Sequence, residues 1–109
     1  RELELPTVPM ESPEYIPKLT SELDVSPATR QRAVDLAEKL ASSGVASGCH
    51  PVGVAAGCVY QASLEHGERL TQAALADIAE VTPVTLRARW KQLQSVLNES
   101  SNPHHRGDA

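Results

Sequence analysis

Between residues 12 and 97, apolar side chains recur at steps of three and four, the period of helices that each bury one face. Five such segments follow one another. Ser12-Pro13 couples a preferred N-cap with a preferred first helical residue, and predicts a helix to about residue 23. Its apolar stripe is Tyr15, Ile16, Leu19 and Leu23, and Pro17 is placed to bend it. Ser26-Pro27 repeats the start signal and opens a helix over 27–43, with Ala33, Val34, Ala37, Leu40 and Ala41 inward and Gly44 as C-cap. After the loop "VASGCH", Pro51 opens a third helix to about residue 66. "VGVAAGCVYQASL" is apolar nearly all round, the pattern of a central, buried helix. Gly53, Ala55, Ala56, Gly57 and Ala62 let its neighbours approach closely, and Gly67 ends it. Two more helices are predicted over 71–79 and 83–97. No stretch alternates as a strand does. The expected fold is all-α: five helices, one of them central.

The flanks break this pattern. Residues 1–12, "RELELPTVPMES", carry two prolines and no helical period, and read as an extended linker. Residues 13–98 form a single domain, and the polar residues 99–109 are expected to be a disordered tail. The chain opens on Arg1, not Met, which predicts a piece of a longer protein. No apolar run approaches the ~20 residues that span a membrane.

The last helical pair has more structure than packing requires. Thr71 caps the first helix, whose Leu75, Ala76, Ile78 and Ala79 face inward. Glu80-Val81-Thr82 turns the chain, Thr82 caps the second helix and Pro83 takes its first position. Such turns often carry Gly where Glu80 stands, and a positive φ there costs a side chain ~1 kcal/mol. Leu86, Trp90, Leu93 and Leu97 recur as a buried stripe, which leaves Val84, Arg87 and Lys91 together on the opposite face. This is the layout of a helix-turn-helix over 71–97. A recognition helix contacts base edges through its N-terminal residues. Arg87 is therefore placed to pair with guanine O6 and N7, and Val84 to pack on a thymine methyl. Thr82, Thr85, Arg89 and Lys91 are placed to reach phosphates.

Charge complicates this reading. The whole chain carries a formal −4, yet Val81 to Leu97 holds three basic residues and no acid, so the remainder sums to −7. Attraction to phosphates acts within about a Debye length, ~8 Å at physiological salt, so a local basic face can work on an acidic body. Long-range steering toward DNA is then poor. Arg outnumbers Lys seven to three and acids exceed bases, a balance suited to a salty cytoplasm. The local basic helix favours DNA contact, while the acidic remainder allows the alternative of a module that holds a protein partner and touches no DNA.

Other chemistry is thin. Cys49 and Cys58 lack the paired spacing of a zinc site and are expected to be free thiols, Cys58 in the core. Ser63 and His66 lie three apart on a helix with no third group or oxyanion site, so they are read as surface residues and the chain as a non-enzyme. His104, His105 and the "RGD" at 106–108 fall in the tail.

Gly44 to Leu93 resembles the second cyclin-like repeat of transcription factor IIB, in its archaeal and particularly haloarchaeal form. The resemblance rests on Gly48, Pro51, Gly53, Ala55 and Ala56 opening the central helix, on Tyr60, and on a helix-turn-helix pattern. That pattern comprises Thr71, Gln72, Val81, Thr82, Val84, Thr85, Arg87, Arg89 and Trp90. It covers about half the chain strongly, and the earlier helices agree in layout. It implies a five-helix cyclin-like fold and a general initiation factor that binds the TATA-binding protein on promoter DNA and recruits RNA polymerase. It also implies a helix-turn-helix that reads the B recognition element beside the TATA box, with Val84 and Arg87 on bases and Thr85 and Arg89 near the backbone. A cytoplasmic, nucleoid-associated monomer follows from the same resemblance. No cofactor is expected in this segment, since the family's zinc ribbon precedes the repeats. The family often carries a basic residue in the loop before the central helix, where Cys49-His50 stands here.

Overall fold

The computed structural model describes residues 12–46, 48–68 and 70–101. Among them are five helices: α1 (Ser12–Ser21), α2 (Pro27–Ser43), α3 (Pro51–Glu65), α4 (Gln72–Ala79) and α5 (Pro83–Ser101). No strand occurs among the described residues. Helix α3 is the spine, in contact with each of the other four. Gly53 through Val59, Ala62 and Ser63 are buried on it, which is why its sequence shows no polar face. The core around it is aliphatic: Ile16 and Leu19 from α1, Ala33, Leu36, Ala37 and Leu40 from α2, Leu75, Ala76 and Ala79 from α4, and Leu86, Leu93 and Val96 from α5. The fold is thus the all-α, cyclin-like bundle expected.

Local signals account for most helix ends. The Ser26 hydroxyl accepts from Thr29 N–H, and Gly44 closes α2 in the left-handed region at φ 76°. The ring Nδ1 of His50 caps α3 by accepting the N–H of Val52 at 3.2 Å. Glu68 N–H donates to Ser63 O and Gly67 N–H to Leu64 O at the other end of α3, a paired closure that places Gly67 at φ 70°. Glu68 also accepts the backbone N–H of Ser26 at 3.2 Å, tying the start of α2 to the end of α3. Arg32 and Glu65 join the same two helices at 2.7 Å.

Several expectations shift. Helix α1 stops at Ser21, not at residue 23. The Thr20 hydroxyl bonds back to Ile16 O, the Ser21 hydroxyl to Lys18 O, and the next two N–H groups turn to acceptors three residues back. Helix α5 runs to Ser101, past the expected start of the tail at 99. Nothing in 98–101 breaks a helix. The rest of the tail and the linker over 1–11 lie outside the described residues. Ala41 is exposed, and Leu36 takes its place on the buried face of α2. Val96 is buried on α5, while Trp90 and Leu97 are only half-buried. Ser63, read as a surface residue, is fully buried, with its hydroxyl donated to Tyr60 O at 2.7 Å. Its neighbour His66 is exposed. Both cysteines are free, and burial pushes the Cys58 thiol up to about 12. No described helix is long and apolar enough to cross a membrane.

Candidate nucleic-acid interface

Helices α4 and α5 and the three residues between them form the candidate site. Thr71 caps α4 by accepting from Ala74 N–H at 3.0 Å. The helix closes with Glu80 N–H on Asp77 O and Val81 N–H on Ala76 O, the double closure usually built around glycine. Here Glu80 holds the left-handed conformation, φ 61° and ψ 40°, as the sole positive-φ non-glycine residue among those described. Thr82 then caps α5, its hydroxyl oxygen accepting from Thr85 N–H at 3.1 Å. The two threonine hydroxyls also bond each other at 3.0 Å. One hydroxyl hydrogen is spent between them, and one remains for an outside acceptor such as a phosphate oxygen.

Helix α5 is set on α3 at very short range. A Cβ on Gly57 would lie 3.0 Å from Trp90 N and 3.2 Å from the Arg89 carbonyl carbon, both backbone atoms. At Gly53, one turn earlier, the nearest atoms would be Thr85 Cγ2 at 3.4 Å and Arg89 Cγ at 3.5 Å. Backbone packs on backbone at one end of this crossing, and side chain on backbone at the other.

The crossing sorts the six sequence-predicted contact residues into two groups. Val84, Arg87 and Lys91 are exposed on a shared face of α5, and Val84 retains 66% of its accessible surface. Thr82 is exposed at the helix start. Thr85 and Arg89 are half-buried and turn toward α3. Arg89 donates to Cys49 Sγ in the loop before α3, and its Nε is buried with no hydrogen-bond partner among the described residues. Of the three positive charges that the sequence places on this helix, two therefore project outward and one is aimed at the 45–50 loop. In that loop the His50 ring is occupied in capping α3.

Two residues important to this geometry carried no site role in the sequence reading. Gln72, the first residue of α4, accepts from Arg87 Nη1 at 3.0 Å. Its amide nitrogen donates to the Tyr60 hydroxyl on α3 at 3.3 Å. Tyr60 stands edge-on to Trp90, with centroids 5.0 Å apart at 84°, and Trp90 Nε1 donates to Gln61 Oε1 at 2.8 Å. Gln72 and Arg87 are 15 residues apart across a turn, so no helical period pairs them. Only the "Thr-Gln" at the helix start offered a signal.

Comparison with known proteins bears on what this face meets. The family model described as transcription factor TFIIB repeat matches residues 7–96. The chain is 42% identical over 93 residues to transcription initiation factor IIB 1 of Halobacterium salinarum, covering 85% of this chain and 32% of that protein. It is 40% identical over 98 residues to transcription initiation factor IIB of Methanococcus aeolicus, covering 90% and 29% respectively. Against transcription initiation factor IIB of Haloarcula vallismortis it is 39% identical over 92 residues, covering 84% of this chain and 81% of that one. The chain thus spans about a third of the length of the first two relatives and most of the third.

Proposed function

The chain belongs to the TFIIB repeat family, one of transcription factors and not of enzymes, and from that premise we propose that it is a promoter-binding module of an archaeal general initiation factor. In this reading it is the second cyclin-like repeat. Helix α5 enters the major groove of the B recognition element upstream of a TATA box, alongside the TATA-binding protein, and the whole factor recruits RNA polymerase. Arg87 and Val84 read bases, while Lys91, Thr82 and Thr85 meet the backbone. Arg89 reaches a phosphate by leaving Cys49.

The observation that carries this reading is the exposed triplet Val84, Arg87 and Lys91 at the N-terminal half of α5. A valine two-thirds exposed at the start of a capped helix, beside an arginine, offers an apolar contact and a two-pronged donor. Those are the groups that distinguish base pairs in the major groove. The helix N-terminus adds a partial positive charge toward phosphate. Few cations face outward, and the remainder is acidic, so affinity for DNA alone is weak, with a salt dependence set by those few phosphate contacts. Binding then depends on the partner protein.

The test is complex formation on a TATA-containing duplex with the matching TATA-binding protein, at two salt concentrations. The upstream element is intact or scrambled, and the protein is wild type or Arg87→Ala. Wild type favours the intact element and the variant does not. If both fold and neither distinguishes the duplexes, α5 is not a base reader, and a protein-interaction module without DNA contact becomes the better account.

A further inference from the structure

We propose that Gln72 is a positioning residue that sets the aim of Arg87, and so contributes to sequence preference without itself reading a base. This rests on the base-reading role proposed for Arg87. A free arginine on an exposed helix face samples many rotamers, and ordering it on binding costs affinity. Here Arg87 Nη1 is held by Gln72 Oε1 at 3.0 Å. Gln72 is fixed in turn, because its amide nitrogen donates to the Tyr60 hydroxyl at 3.3 Å. Tyr60 is braced by the edge-on ring of Trp90, whose own Nε1 is tied to Gln61. The outermost guanidinium is therefore linked through three side chains to the α3–α5 packing.

The link leaves the donor fork usable. A guanidinium has five N–H donors, and Gln72 takes one of them. The rest, including both on Nη2, stay free for two parallel bonds to one guanine. An amide oxygen is also a neutral acceptor. It orients the arginine without cancelling its charge, as a carboxylate in that place would.

The experiment uses the ternary assay above with Gln72→Ala, Gln72→Glu, Tyr60→Phe, Arg87→Ala and Gln72→Ala/Arg87→Ala. The readout is the ratio of affinities for the intact and the scrambled element, beside each variant's melting temperature. Gln72→Ala lowers that ratio roughly two- to tenfold, the range set by the cost of ordering a long side chain on binding. Affinity for the scrambled duplex does not change. Tyr60→Phe lowers the ratio in the same direction, since it unfastens Gln72. Gln72→Glu retains the ratio, because a carboxylate accepts from Arg87 and from the Tyr60 hydroxyl, while affinity for both duplexes falls with the added negative charge. The double variant loses no more than Arg87→Ala alone, as residues acting through one another do.

If Arg87→Ala loses preference while Gln72→Ala keeps it, the positioning role is wrong and the base-reading role stands. Equal losses on both duplexes would make Gln72 a general packing residue and overturn the proposal. If Arg87→Ala itself keeps preference, the base-reading role fails, and this one with it.

Discussion

Two glycines one turn apart on α3 give opposite expectations for the same substitution. Glycine inside a helix costs roughly 0.5–1 kcal/mol relative to alanine, so Gly→Ala is favourable wherever the methyl has room. At Gly53 the methyl would meet Thr85 Cγ2 at 3.4 Å and Arg89 Cγ at 3.5 Å, ordinary contact distances to side chains that can adjust. Gly53→Ala should stabilise by roughly 0.5 kcal/mol or a little more. At Gly57 the methyl would lie 3.0 Å from Trp90 N and 3.2 Å from Arg89 C, and backbone cannot swing aside. Overpacking of this kind costs about 1–3 kcal/mol, which outweighs the propensity gain, so Gly57→Ala should lose about 0.5–2 kcal/mol net. Urea unfolding followed by helical circular dichroism measures both. The midpoint rises for Gly53→Ala and falls for Gly57→Ala, with similar slopes. A midpoint that moved the same way for both would refute the claim that α5 rests on the α3 backbone specifically at Gly57.

Other outcomes follow from single residues. Glu80 sits in the left-handed region, so Glu80→Gly should stabilise by about 1 kcal/mol and raise the melting temperature by roughly 4–8 °C. Glu80→Ala is the control for lost charge and should do neither. Lys91→Ala should weaken binding to intact and scrambled duplexes alike and reduce the salt slope by about one. Cys58 is fully buried with its thiol pushed up to about 12. Iodoacetamide at pH 8 should therefore spare it in the folded protein and label it in urea. Arg32 hydrogen bonding holds Glu65 below its usual range, and Ser26, through its hydroxyl and backbone N–H, does the same for Glu68. A depressed carboxyl pKa adds stability above the unfolded value, about 4.3, and that stability is lost as pH falls through the folded value. Stability should thus decline on acidification below about pH 4.3, and Glu65→Gln with Glu68→Gln should flatten the decline.

The sequence carried the fold where its signals were local. Ser26-Pro27, Thr71 and Thr82-Pro83 each mark a helix start that the structure keeps, and Gly44 and Gly67 each close a helix at positive φ. The unbroken apolar character of 51–65 identified the central helix, since only a helix surrounded by others lacks a polar face. What escaped was set by which neighbour a face meets. Ala41 and Leu36 are both compatible with the stripe of α2, and only the placement of α3 decides between them. Ser63 is polar yet buried, because its hydroxyl finds Tyr60 O within its own helix. The outward triplet Val84, Arg87 and Lys91 was legible because a 3.6-residue period separates faces. The inward turn of Arg89 was not, because it depends on how closely α5 packs on the glycines of α3 and on Cys49, forty residues away, accepting from its guanidinium.

The crossing at Gly57 also has a mechanical consequence. Contact there is backbone on backbone, while toward Gly53 it loosens into side chains that can yield. Helix α5 thus rests on a fulcrum near Arg89 and Trp90, while its first turn is held by Leu86 in the core and by side chains that can yield. Val84 lies roughly 8 Å from that fulcrum at 1.5 Å per residue, so a tilt of about 10° carries it about 1.4 Å. If α5 enters a groove as proposed, a tilt of that size would let its outer face adjust to the groove while the buried face keeps its packing on α3.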